Sequence, residues 1–288
     1  MNARLNEQVT ERFATFDCDG DTCIGVFAEP AGTVSRASVG VIVIVGGPQY
    51  RVGSHRQFVA LSRALAAAGV PVLRFDYRGM GDSGGDRRSF ECVDADIDAA
   101  VGVLQRETGV KSVVLWGLCD GASAALMHAS ADPRVVGIVV LNPWARSAAT
   151  EAATRVQHYY ARRLLSREFW QKALRGGVGV KQSVGELANA VHGAFRGRAQ
   201  ASAASFLERM NDGLARFRGN VLCVLSGNDL TAREFEAWSR QTPQRRALLM
   251  QPLVEIFHAE AADHTFSDAG ARDAVMQKTI EWITRVAR

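Results

Sequence analysis

The stretch from Val113 to Leu126 constrains this chain most. An apolar run of strand type, Val113-Val114-Leu115-Trp116, reaches Gly117-Leu118-Cys119-Asp120-Gly121, and an Ala-rich helical pattern follows at once. A strand and a helix joined through so short a turn must approach closely. Small residues on either side of the turn allow that, and Gly117 and Gly121 supply them. The residue at the apex is then held on a tight, strained turn, the layout of a nucleophile elbow. Here that residue is Cys119. The helix that follows aims its N-terminus at the sulfur, which favours a thiolate. A Gly-rich turn around a buried structural cysteine fits the same letters, so the order of the surrounding signals has to decide.

Residues 9–29 read as a β-hairpin, with Phe13, Phe16, Ile24, Val26 and Phe27 flanking Asp17-Cys18-Asp19-Gly20-Asp21. Asp-Gly is a turn signal. The Asp run resembles part of a calcium loop, but the distal Glu of that pattern is missing. Val39 to Val45 is continuously apolar, as in a strand buried on both faces of a parallel sheet. Gly46-Gly47-Pro48 ends it. A helical pattern runs from about Ser54 to Gly69, and Val70 to Phe75 is the next strand, so strand, helix and strand imply a right-handed crossover. A Gly-rich loop, Phe75 to Ser83, leads to a helix over about Cys92–Arg106. After the elbow come a buried strand at Val135–Leu141, ended by Asn142-Pro143-Trp144, and later a strand over Val221–Leu225. A weaker strand lies around Val254–Phe257, and an amphipathic helix closes the chain. Alternating strands and helices predict an α/β fold, a mostly parallel sheet with helices on both faces. Residues 145–216 lack an apolar strand run and read as an inserted helical cap, so 1–144 and 217–288 form the two parts of the core.

Ligands of such sheets bind beyond the carboxyl ends of the strands. Gly46-Gly47, the elbow, Asn142-Pro143 and Asp229 all follow strands and therefore crowd one edge. A nucleophile there needs a base, and the base needs an orienting acid. Cys119 is the candidate nucleophile, His264 the base and then acid, and Asp229 the group that fixes the imidazole tautomer. His258, six positions before His264, is the chief rival base, and Asp263 a rival acid. His128 lies in the elbow helix, and His158 and His192 in the cap. The oxyanion of a tetrahedral intermediate needs two donors. One is the N–H of Asp120. Pro48 has no N–H, so Gly47 or Gln49 supplies the other, with Gly47 preferred. Gln49, His55 and Trp144 are candidates for contacting substrate. Arg78 reads as a brace for its loop. Tyr159-Tyr160 and Arg162-Arg163 in the cap suit either a solvated helix face or an anionic or sugar ligand.

Composition narrows the partners. The formal charge of +4 is mild, and no Lys/Arg run accompanies it, so nucleic acid is not expected. Five cysteines, in no Cys-x-x-Cys spacing, read as free thiols in a reducing compartment, with no metal and no cofactor expected. The N-terminal residues are polar and carry no apolar core of a signal peptide. No apolar run approaches the roughly 20 residues that cross a bilayer. The expectation is a cytoplasmic protein acting on a small-molecule acyl substrate.

The elbow, the Gly46-Gly47-Pro48 loop, Phe75-Asp76-Tyr77-Arg78-Gly79-Met80-Gly81-Asp82-Ser83, Gly227-Asn228-Asp229 and Asp263-His264-Thr265-Phe266 together resemble the α/β-hydrolase superfamily. In that superfamily the chain order is nucleophile, acid, histidine, the order of Cys119, Asp229 and His264. More narrowly, Gly46 to Gln57, with Gly117-Leu118-Cys119-Asp120-Gly121, resembles the exosortase A system-associated hydrolases, type 1. Those belong to bacterial exopolysaccharide and protein-sorting gene clusters. The Gly-x-Cys-x-Gly elbow is also similar to that of dienelactone hydrolases, from which the inserted cap departs. The resemblance implies a Cys-dependent hydrolase of esters or thioesters. Acyl transfer on the same three residues, or a binding protein that keeps the fold without turnover, is the alternative.

Overall fold

The computed structural model describes residues 8–47, 49–145 and 205–287. The chain opens with a hairpin of β1 (Val9–Cys18) and β2 (Asp21–Pro30). Its two-residue turn, Asp19 and Gly20, has positive φ at both positions (50° and 87°), which matches the twist of the flanking strands. There follow β3 (Val39–Ile44), α1 (Gln57–Ala67), β4 (Val72–Asp76), α2 (Asp94–Thr108), β5 (Ser112–Leu118), α3 (Asp120–His128) and β6 (Val135–Leu141). The last part contributes α4 (Phe206–Arg216), β7 (Asn220–Ser226), α5 (Leu230–Arg240), α6 (Pro243–Leu249), β8 (Val254–Ala259) and α7 (Ala269–Val286).

The strands form one sheet of eight, in the order β1-β2-β4-β3-β5-β6-β7-β8. β2 runs antiparallel to β1 and β4, and the pairs from β4 through β8 are parallel. The central strands are apolar at nearly every position because both faces are covered. Ile42, Ile44, Leu73, Phe75 and Leu115 face one layer, with α2, α3, α4 and α5. Val41, Val43, Val114, Trp116 and Leu118 face the other, with Phe58, Leu61 and Leu65 of α1 and Val275, Trp282 and Ile283 of α7. Burying each such side chain contributes on the order of 1.5–3 kcal/mol.

Register carries the site. Ile44 pairs with Gly117, and Gly117 with Val140. Leu141 pairs with Val224, and Ser226 with Ala259. The carboxyl ends of β3, β5, β6, β7 and β8 therefore lie side by side, and the loops that follow them converge.

The expected strands are present, and the helices differ at their ends. The helix expected from Ser54 begins at Gln57, because His55 and Arg56 have φ of 53° and 58°, outside the right-handed helical region. Residues 146–204 of the expected cap lie outside the described residues. Its final segment is α4, whose Met210 and Leu214 are buried in the core. A Cβ on Gly213 would come within 2.0 Å of the Leu126 carbonyl, so α4 packs directly on α3. Among the described residues, no helix is long and apolar enough to cross a membrane.

A Cβ on Gly117 would lie 2.4 Å from the Gly121 carbonyl oxygen and 2.6 Å from the Ala122 nitrogen. Both are backbone atoms, which cannot rotate away. Gly117→Ala is therefore expected to destabilise the fold by about 2 kcal/mol or more, read from the midpoint of urea unfolding. An unchanged midpoint would show that strand and helix are not held this closely.

Candidate active site

Cys119 sits between β5 and α3 with φ 61° and ψ −123°. A non-glycine residue in such a conformation costs on the order of 1–3 kcal/mol and persists only where its surroundings dictate it. The surroundings do so. Its N–H donates to Leu141 O at 2.9 Å, and its carbonyl accepts from Ala122, Ser123 and Trp144 at 3.1, 3.2 and 3.1 Å. The Ser123 hydroxyl donates to the Trp144 carbonyl at 2.8 Å. The turn is thus tied to the end of β6 and presents the sulfur above the sheet.

Asp229 lies just after β7 and caps α5. Its Oδ1 accepts the N–H of Thr231 at 3.0 Å and its Oδ2 that of Ala232 at 3.3 Å, which fixes the carboxylate's direction. Oδ2 also accepts from His264 Nδ1 at 2.8 Å. His264 stands on the loop between β8 and α7. Asp263 shapes that loop by accepting from the Thr265 and Ser267 amides at 3.1 and 3.0 Å and from the Ser267 hydroxyl. The Cys119 side chain lies close enough to the imidazole to raise its pKa. The structure therefore brings Cys119, His264 and Asp229 into one neighbourhood. Asp263 serves the turn instead, and His258 is half-exposed, with its ring 4.0 Å from Glu236. His128 is buried and hydrogen-bonds Asp94 at 3.2 Å.

The hydrogen bond to Asp229, then that to Cys119, pushes the His264 pKa up to about 10 against the opposing effect of burial. The ring is therefore an imidazolium near neutrality. Burial pushes the thiol of Cys18 to about 11 and those of Cys23 and Cys223 to about 12.

Gly47, with φ 61°, lies beside the elbow. A Cβ on Gly46 would meet the Leu118 carbonyl at 2.5 Å, and one on Gly121 the Ile44 carbonyl at 2.5 Å. Glycine at these positions is what lets the β3 loop lie against α3. The Asp120 carboxylate accepts from Gly121 N at 3.0 Å, and a Cβ on Gly46 would come 2.1 Å from its Oδ1. An open cavity of about 430 Å³ begins there, lined by Gly47, Asp120, Tyr77, Met80, Arg87 and Phe90 among others. Trp144 contributes its backbone N–H to the Cys119 carbonyl. The Gln49 side-chain oxygen is buried with no hydrogen-bond partner. His55 is exposed, on the left-handed turn before α1, and is not among the residues lining this cavity.

Three supporting residues escaped the sequence reading. Asp76, fully buried, accepts the amides of Arg51 at 2.7 Å and Asp82 at 3.2 Å and pairs with the Arg51 guanidinium. Asp96, also fully buried, takes Arg78 through its backbone N–H at 2.8 Å and its guanidinium at 3.1 Å. Arg78 is the brace its loop position suggests. Asn142 bridges β6 to β7 through the Ser226 hydroxyl and amide, each at 2.9 Å. Asp76 did carry a signal, since it opens the Gly-rich loop, but the helix position of Asp96 did not.

Residues 41–277 match the family model described as "Alpha/beta hydrolase family". The chain belongs to the alpha/beta hydrolase family. No match was found among curated proteins. Among solved structures, this hydrolase is similar to an esterase of Pyrococcus furiosus, at 16% identity and a TM-score of 0.63, over 99% of this chain and 94% of that one. It is similar to the ferulic-acid-bound Est1E of Butyrivibrio proteoclasticus, at 15% identity and 0.62, over 94% and 98%. It is also similar to a fungal esterase of Rhizomucor miehei, at 15% identity and 0.63, over 99% and 87%. At these identities the likeness is one of fold.

The His264 pair leaves a mark on the hydrolase's stability. A raised folded pKa stabilises fully below the unfolded value, 6.5, and that contribution is lost as pH rises through about 10. The melting temperature is expected to fall between those limits, and Asp229→Asn to flatten that part of the fall. A wild-type profile level across the window would contradict the pairing.

Proposed function

We propose that this hydrolase cleaves a carboxylic ester or thioester through an acyl-enzyme on Cys119. The observation that carries the reading is the neighbourhood of Asp229, His264 and Cys119, with the sulfur on a strained turn. The thiolate attacks the carbonyl carbon, and the C=O electron pair moves to oxygen. The amides of Asp120 and Gly47 are the donors within reach of that oxyanion. The intermediate collapses, the C–O or C–S bond breaks, and His264 gives its proton to the departing alkoxide or thiolate. The neutral imidazole then takes a proton from water, whose oxygen attacks the Cys119 thioester. Collapse expels the thiolate and releases the acid. Asp229 stays ionised and holds the Nδ1–H tautomer throughout.

Several facts support an activated acyl substrate. Attack by sulfur gives a thioester intermediate, which suits esters, lactones and thioesters better than amides. The similar structures from Pyrococcus furiosus and Rhizomucor miehei are esterases. The cavity beside Gly47 and Asp120 has room for a small or medium acyl group. The Gly46–Gln57 segment and the Cys elbow support a role near bacterial exopolysaccharide and exosortase systems, in a cytoplasmic setting.

A chain-length series of p-nitrophenyl esters tests this. The wild type is expected to hydrolyse them, and Cys119→Ala to lose at least about 100-fold in kcat/KM. Equal rates in the two proteins would remove Cys119 from the mechanism.

A further inference from the structure

We infer that the substrate of this hydrolase carries an oxyanion, a carboxylate or phosphate group, and that Arg87 and Arg88 bind it in the cavity that opens beside the elbow. The inference rests on the reading of that cavity as the ester site of Cys119, and it names the class of substrate that site takes.

The cavity of about 430 Å³ has a wall of two characters. Asp120, the residue after Cys119, and Gly47 form one part of it. Arg87, Arg88 and Ser89, from the segment before α2, form another, together with Tyr77 after β4. The cleavage itself uses neither guanidinium. Other arginines near the site are committed to buried carboxylates, Arg51 to Asp76 and Arg78 to Asp96. These two are not. Among the described residues, Arg87 makes no ion pair or hydrogen bond. Arg88 approaches Asp21 only to 3.9 Å, beyond hydrogen-bonding distance. Its Nε is buried with no hydrogen-bond partner.

The backbone beneath the pair is held on both sides. A Cβ on Gly79 would come 2.3 Å from Arg87 Cα, so the segment lies against the loop after β4. Phe90 packs edge-on against Phe206 of α4, with ring centroids 5.4 Å apart. Arg209 of α4 donates to the Glu91 carbonyl at 2.6 Å. The guanidiniums therefore stand on a fixed wall.

One molecule has to suit both parts of that wall. The Asp120 carboxylate repels an anion at the Cys119 end, where the neutral ester must lie. The guanidiniums attract it to their own side. A cavity of two signs thus orients a substrate that is neutral at one end and anionic at the other. Arginine suits carboxylate and phosphate because its planar N–H donors meet two oxygens at once. Burial pushes the Tyr77 hydroxyl up to about 12, so it stays neutral and adds no opposing charge. Met80 and Phe90 also line the cavity and give apolar surface for the carbon chain that joins the two groups.

Two matched pairs of esters test this. The first places the charge in the acyl half: mono-p-nitrophenyl adipate against its neutral methyl ester. The second places it in the leaving half: the butyrate ester of 2-hydroxyethyl phosphate against that of the neutral dimethyl phosphate. At low salt the wild type is expected to favour the charged member of one pair by about tenfold or more in kcat/KM, mainly through KM. The preference is expected to shrink in roughly 0.5 M sodium chloride. The pair that shows it identifies the half that carries the oxyanion. Arg87→Gln, at an exposed position, is expected to cut the ratio several-fold, and the double variant with Arg88→Gln to bring it near one. Arg87→Lys is expected to keep part of it, since the charge remains without the paired donors. A ratio near one for both pairs in the wild type, or a preference that survives in the folded double variant, would overturn the inference. Cys119→Ala separates the two levels. If it abolishes turnover while neither pair shows a preference, the nucleophile stands and this inference falls. If it leaves turnover intact, both fall.

Discussion

The approach of backbone to backbone around the elbow governs this molecule. Gly46, Gly117 and Gly121 let the end of β5, the start of α3 and the β3 loop come within distances that any Cβ would forbid. The interior is packed like a crystal, so this contact is an all-or-nothing condition. It forces Cys119 into its positive-φ conformation and brings the Gly46–Gly47 turn against α3. The strain at Cys119 is offset by hydrogen bonds to β6 and Trp144 and by burial of the strands on both sides. The position of Cys119, that of the Gly46–Gly47 turn and the start of α3 are consequences of that one geometric requirement.

Buried carboxylates do the remaining positioning, each by accepting more than one N–H. Asp229 takes two amides of α5 before it takes His264. Asp76 and Asp96 anchor the loop between β4 and α2 through Arg51 and Arg78. A charge buried with several donors is kept, whereas one stripped of a partner is costly. These groups are consequently committed in direction, and a committed carboxylate orients an imidazole better than a mobile one.

The fold was legible wherever the local pattern was strong. The apolar runs at Val39, Val70, Val113, Val135 and Val221 are all strands, because a strand covered on both faces has no polar alternation to blur it. The order of Cys119, Asp229 and His264 pointed to residues that the structure does place in contact. What was not legible depended on neighbours distant in sequence. The late start of α1 follows from left-handed residues at His55 and Arg56, which composition does not announce. Helices α5 and α6, capped by Asp229 and Thr242, carry no long apolar run to announce them. The locations of Asp96 and of the Asp120 side chain become clear only when the loops meet, since neither has a local motif.

The most direct measurement is to capture the intermediate itself. After brief mixing with a p-nitrophenyl ester and an acid quench, peptide mass spectrometry should find the acyl mass on the peptide that contains Cys119, and hydroxylamine should remove it, as it does a thioester. Steady hydrolysis with no acyl mass at Cys119, or with the acyl group on another residue, would contradict the account.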